Sequence, residues 1–267
     1  MKKTVSVFMF IIAITMYCVF IPGTEGYAEE SLKFSCSAQI VEAFGADILT
    51  AFTEQTGIDV NIYKSSSDSA VNRLMSGYSH IAGSMKKLRY NYRQGQYVQI
   101  PFCKDNLAVI VNVSVKVNNL SEAQLQDIFT KAVTNWKEVG GADKKIIVVV
   151  PAKETASHQN FKDQAMKGKE IVYDFMSEQS AEVIDAVRTI PGAVSFITQG
   201  AVEKKGAVKT VSINNLSPRT SDYPYFQTMY LIAKKSHDKN VEKLIDFFKN
   251  ENGKKIMKNK GMIPVSE

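Results

Sequence analysis

The chain has 267 residues, 45% of them hydrophobic and 22% charged, with a net charge of +6 at neutral pH. That length supports one large domain or two ordinary ones with ample core, and no repeat or low-complexity segment interrupts it. Nothing in it resembles a nucleophile elbow, a phosphate-cradling glycine loop or a cysteine–histidine cluster at ligand spacing, so common hydrolase, nucleotide-binding and metal-site classes are excluded.

Lys2 and Lys3 precede an almost unbroken apolar run from Val5 to Ile21, and Gly26-Tyr27-Ala28 then supplies small residues where a signal peptidase reads. Residues 1–28 therefore read as a signal peptide cleaved near Ala28, which places the mature chain in the periplasm or outside the cell. The rival reading, a retained anchor, needs a run that only just reaches spanning length. Cleavage leaves 239 residues and removes two lysines and a glutamate, for a mature net charge of +5. A mild basic excess fits an anionic ligand or surface. Two cysteines survive, Cys36 and Cys103. In an oxidising compartment they are either a disulfide between neighbouring strands or two buried thiols.

Leu32–Phe34 starts a strand that runs into Ser35-Cys36-Ser37-Ala38-Gln39, and a helix follows with Val41, Phe44, Ile48 and Phe52 on one face and Gly57 as its stop. Asp59–Tyr63 alternates as a strand, and Ser65–Ser69 leads into a helix that closes at Gly77. Ile81–Ser84 is a third strand. Strand, polar turn and helix in alternation predict a parallel sheet with helices on its faces. Lys86–Tyr97 mixes bases with tyrosines and reads as a solvated loop in an exported protein, so nucleic acid is not expected as a partner.

Ile100–Asn112 reads as a long buried strand, and Ser121 with Gln124 forms a capping box before a helix bearing Leu125, Ile128 and Phe129. Ile146–Val150 is another buried strand, followed by Thr155-Ala156-Ser157 at a helix start. A helix over 180–188, strands over 192–197 and 229–233, and two final helices complete the chain.

Several of these segments, in order, resemble the phosphate-binding proteins of periplasmic ABC transporters. They are Leu120–Phe129 with Asn135-Trp136, the strand at 146–150 with its helix start, Pro191–Phe196, Tyr223-Pro224, and the ending Gly253–Ile256 with Gly261–Pro264. The resemblance implies an α/β, two-lobed type II periplasmic binding protein fold, each lobe a mostly parallel sheet flanked by helices. One lobe would hold 29–111 and 223–267, the other 112–222, with crossings near Asn112 and Tyr223-Pro224. Trp136 is expected to pack within the second lobe.

The same resemblance implies the site. Its first turn is Ser37-Ala38-Gln39, its second centres on Ser67 and Asp68, and a third contact lies at Ser84. The second lobe contributes Thr155, Ala156 and Ser157. Helix starts expose unpaired N–H groups and the positive end of the helix dipole, which together hold an oxyanion without metal or cofactor. Ser and Thr there are equally ordinary helix caps. The family's arginine is Pro151 in this chain, which donates nothing, Ala156 replaces a glycine, and Met85 replaces a polar residue. Lys153 and His158 are the candidates to compensate. The expectation is a monomeric, non-enzymatic solute-binding protein that holds phosphate or another small oxyanion between its lobes for uptake through an ABC permease. The alternatives are a receptor of the same fold for another solute, or a ligand-poor sensor.

Overall fold

The computed structural model describes residues 31–44, 46–88, 95–202 and 208–265. The signal-peptide reading, with its cleavage near Ala28, and the centre of the basic loop lie outside the described residues. Strand β1 (Leu32–Ser37) is followed by helices α1 (Ala38–Phe44) and α2 (Asp47–Thr56), strand β2 (Val60–Ser65), helix α3 (Ser67–Met75) and strand β3 (Ile81–Ser84). β2 and β3 flank β1, both parallel to it, as crossover helices require. The single helix expected across 41–56 is two helices, α2 opening at Ala46 without a side-chain cap. Gly45 is a poor helix former, and Gly57 ends α2 in the left-handed conformation (φ 73°) that glycine adopts without strain.

The long strand β4 (Tyr97–Val111) spans about 50 Å at the usual rise per residue. It is followed by β5 (Asn119–Leu120), α4 (Glu122–Phe129), a 3-10 turn at Trp136–Val139, β6 (Ile147–Pro151), α5 (Ala156–Gln164), β7 (Phe175–Ser177) and α6 (Ser180–Thr189). Strand β8 (Ala193–Thr198), a 3-10 turn at Gln199–Ala201, β9 (Lys209–Ile213), β10 (Phe226–Lys234), α7 (Lys239–Lys249), α8 (Glu251–Asn259) and β11 (Ile263–Pro264) complete it. The main strand order is β2-β1-β3-β10-β4-β8-β6-β7. Parallel pairs lie at both ends of this order. The antiparallel pairs in its middle all involve β10 or β4.

Strand periodicity divides the apolar side chains into cores. Leu107, Val109 and Val111 pack with Trp136, Phe161 and Phe196 on one face of β4, while Ala108 and Ile110 pack with Val183 and Val187 on the other. On β10, Met229, Leu231 and Ala233 join Phe34, Phe44 and Phe248, and Tyr230 and Ile232 join Leu74 under α3. β4 changes core between Cys103 and Leu107, ahead of the crossing expected near Asn112.

Trp136 is 1% exposed and donates from Nε1 to the Gly192 carbonyl at 2.9 Å, a packing role as expected. Phe161 and Phe196 stack beside it with centroids 3.9 Å apart. The capping box forms in full: Ser121 Oγ accepts from Gln124 N–H at 3.1 Å, and Gln124 Oε1 accepts from Ser121 N–H at 2.9 Å.

The expected pairing of Cys36 with Cys103 is corrected: both are buried free thiols. Strands β3 and β10 separate β1 from β4, so the two backbones stand about 14 Å apart, against the roughly 4.4–6.8 Å between Cα atoms that a disulfide spans. Burial pushes both thiols upward in pKa, with the Asp105 charge adding to the effect at Cys103. Gly83 approaches Cys36 closely enough that a Cβ there would lie 2.7 Å from its sulfur. Among the described residues no helix is long and apolar enough to cross a membrane.

Candidate functional site

Three strand-to-helix turns open at the carboxyl ends of β1, β2 and β6, where α/β sheets leave a crevice. At the second, Ser66 caps α3 by accepting from Ser69 N–H at 3.1 Å. At the third, Thr155 caps α5, accepting from His158 N–H at 3.2 Å and donating to the Ala152 carbonyl at 2.7 Å. A cavity of about 500 Å³ lies between these turns. Ser37, Ala38, Gln39, Glu42, Ser65, Ser66, Ser67 and Lys86 line it from the first core's side. Pro151, Ala152, Glu154, Thr155, Ala156, Glu178 and Ser180 line it from the other.

Six of the nine sequence-predicted site residues are therefore brought together: Ser37, Ala38, Gln39, Ser67, Thr155 and Ala156. Asp68, Ser84 and Ser157 stand behind the lining, each joined to it. Asp68 pairs with Lys86 at 3.0 Å. Ser84 Oγ accepts from Lys86 N–H at 3.0 Å and donates to the Lys86 carbonyl at 2.9 Å, which shapes the turn that presents the lysine. Ser157 Oγ accepts from Gln39 Nε2 at 2.8 Å, a bond that links the two sides of the cavity. Ala156 likewise packs with the first core.

The hydroxyls are not equally committed. Thr155 serves its own helix, and Ser157 engages Gln39 and lies 3.3 Å from Thr155 Oγ1. Ser67 Oγ accepts from Met85 N–H at 3.0 Å, which leaves its proton to donate. Ser37 is 4% exposed, lines the cavity and makes no side-chain hydrogen bond among the described residues. Among the described residues Lys86 is the one basic side chain in the lining, against the carboxylates of Glu42, Glu154 and Glu178. Glu42 lies 3.4 Å from Lys64 Nζ.

The two compensating residues expected for the missing arginine are not in the lining. Lys153 Nζ sits 5.7 Å from the Tyr173 ring centroid. His158 is 5% exposed, packs edge-on against Phe196, and bonds through Nδ1 to the Pro151 carbonyl at 2.8 Å. Burial holds its pKa below the usual imidazole range. Lys86 supplies the positive charge instead. Its sequence signal was its position two residues after Ser84 at a strand end, obscured by the run of bases that follows. Met85 is buried in the first core.

A larger groove of about 940 Å³ adjoins this cavity and shares Glu42 and Ser180 with it. Along it Lys260 pairs with Asp47 at 3.0 Å and Arg188 with Asp185, while Arg219 also lines it without an ion pair among the described residues. The smaller cavity is where the three helix starts and the Ser37 and Ser67 hydroxyls meet, so it is the better candidate.

A family model described as the PBP superfamily domain matches residues 23–252. The phosphate-binding protein PstS of Bacillus subtilis is 27% identical over 167 residues, which span 60% of this chain and 55% of that relative. Among solved structures, a Clostridium perfringens protein titled a phosphate ABC transporter substrate-binding protein with bound phosphate superposes with a TM-score of 0.76 at 22% identity, covering 88% of this chain and 100% of its own. An ABC-type phosphate transport receptor from Vibrio cholerae superposes at 0.66 with 25% identity, covering 87% and 99%.

Proposed function

The chain belongs to the PBP superfamily, and from that premise we propose that it is an exported solute-binding protein that holds phosphate or another small oxyanion for ABC-type uptake. The observation that carries this reading is the convergence of three helix starts and Lys86 on one cavity. Unpaired N–H groups, the dipole ends and the Ser37 and Ser67 hydroxyls all favour a negative ligand there. The two cores act as lobes closing on the ligand about β4 and β10, with crossings at 104–106 and 226–228 in place of the expected ones near Asn112 and Tyr223-Pro224. In this reading the protein is a monomer without cofactor or catalysis, it acts in the periplasm or outside the cell after cleavage near Ala28, and its partner is a permease rather than nucleic acid.

One observation favours a second reading, in which anion binding is weak. The Gln39–Ser157 bond joins the two sides of the cavity directly, and Pro151 contributes no donor. A thermal-shift panel on residues 29–267 separates the two. A bound oxyanion at a hundred times its Kd stabilises by about 2.7 kcal/mol, which raises Tm by roughly 5–10 °C in a chain this long. No shift with phosphate, sulfate or other oxyanions would leave the second reading standing.

A further inference from the structure

The cavity is chemically two-sided. On the first core's wall, Ser37 is 4% exposed and its hydroxyl has no partner among the described residues, Ser67 retains its proton, and Lys86, held by Asp68 at 3.0 Å, supplies the positive charge. On the opposite wall, Glu154 and Glu178 line the same space, and neither carboxylate has a hydrogen-bond or ion-pair partner among the described residues. The two belong to adjoining chain segments. Pro151 pairs with Ser177 across β6 and β7, and Ala152 N–H donates to the Ser177 carbonyl at 2.9 Å. A bare oxyanion seated between these walls gains from one and is repelled by the other. The volume, about 500 Å³, is of the size that takes an organic ligand.

Building on the oxyanion reading, we propose that the cleft takes a zwitterionic small molecule, an oxyanion head joined by a short chain to a protonated amine. The head lies against Ser37, Ser67 and Lys86, and the amine lies against Glu154 and Glu178. This explains how the site works with no cationic side chain among the described residues of its second wall. The ligand's own positive charge offsets the carboxylates that would otherwise oppose its head. It also accounts for two unpaired acids in the wall of an anion cavity, an arrangement that disfavours inorganic phosphate.

Calorimetry at pH 7 and low salt on residues 29–267 compares inorganic phosphate, ethylphosphonate and 2-aminoethylphosphonate. Each partly exposed ammonium–carboxylate contact is worth up to about fivefold, so the aminated probe should bind about tenfold tighter than ethylphosphonate. In the Glu154→Gln, Glu178→Gln double variant this preference should vanish while phosphate and ethylphosphonate tighten. Melting temperatures confirm that the variant is folded. Equal affinity for the two phosphonates, binding of phosphate alone, or a preference that survives in the double variant overturns the inference and leaves the oxyanion reading intact. Failure of all three probes to bind overturns both.

Discussion

On the first core's side of the cavity, Ser37 and Ser67 offer hydroxyl protons and Lys86 a positive charge. On the second core's side stand Pro151, Ala152, Ala156 and two unpaired carboxylates, and the hydroxyls of Thr155 and Ser157 are engaged within the protein. Both walls are made the same way, by a strand that ends where a helix begins. The fold therefore decides where the backbone N–H groups point, while a handful of side chains decides what those groups can hold. In the proposed reading the first wall has the character of an anion site and the second does not.

The walls join at the crossing strands, and the largest predicted effect arises there rather than in either wall. Asp105 on β4 accepts from Gly200 N–H at 3.0 Å through Oδ1, but among the described residues its Oδ2 has no partner. It pairs in register with Gln227, whose buried side-chain amide is also unpartnered, as is that of Gln199. Burial pushes the Asp105 carboxyl up to about 7, partly offset by the Gly200 N–H and by the nearby polar groups of Thr198 and Gln199. The folded chain then binds more protons than the unfolded one between roughly pH 4 and 7. Stability is complete at the acid end of that window, falls as pH rises through it, and is level above it. The loss is on the order of 4 kcal/mol. Asp105→Asn should flatten the profile and be the more stable protein at pH 8 in urea unfolding. Parallel profiles for the two proteins would show that the carboxyl is not destabilising. With this titration known, any pH dependence of binding can be divided between the crossing and the walls.

Repairing the second wall would test the contrast directly. Pro151→Arg with Glu154→Gly adds a charge-assisted fork and removes a repelling charge, each such hydrogen bond contributing about 1.5–3 kcal/mol. Phosphate should bind ten- to a hundredfold tighter than to the natural chain. Unchanged affinity in calorimetry would mean that the second wall does not reach the ligand.

A smaller pair of effects separates engaged from available hydroxyls. Thr155→Ala removes a helix cap and should cost about 1 kcal/mol of stability while changing phosphate affinity less than about threefold. Ser37→Ala should do the reverse, leaving the melting temperature nearly unaltered and weakening binding about fivefold. If Thr155→Ala were the one to abolish binding, the assignment of the two walls would be inverted.

Much of this was legible in the residues because the signals were local. The unbroken apolar run Leu107–Val111 marks a strand buried on both faces, Ser121 with Gln124 marks a helix start, and Gly57 marks a helix end. The turns at Ser37–Gln39, Ser67 and Thr155–Ser157 were readable as helix starts before the structure placed six of the nine residues around one cavity. Strands β5, β7 and β11 were missed because two or three residues carry no periodicity, and β9 because its polar positions resemble a loop. Strand order was not local either. The insertion of β3 and β10 between β1 and β4 separates Cys36 from Cys103, and nothing near either cysteine signals it. Lys86 was hidden for a related reason, since its turn is shaped by Ser84 and its partner Asp68 is eighteen positions away.

The central claim is that the first core's wall holds an oxyanion and that Lys86 supplies its charge. Calorimetric titration of phosphate into residues 29–267 and into the Lys86→Met variant, at pH 7 and low salt, tests it most directly. The account predicts saturable one-to-one binding to the natural chain, weakened about ten- to a hundredfold by the substitution. The absence of binding by the natural chain, or equal affinity in both proteins, would contradict it.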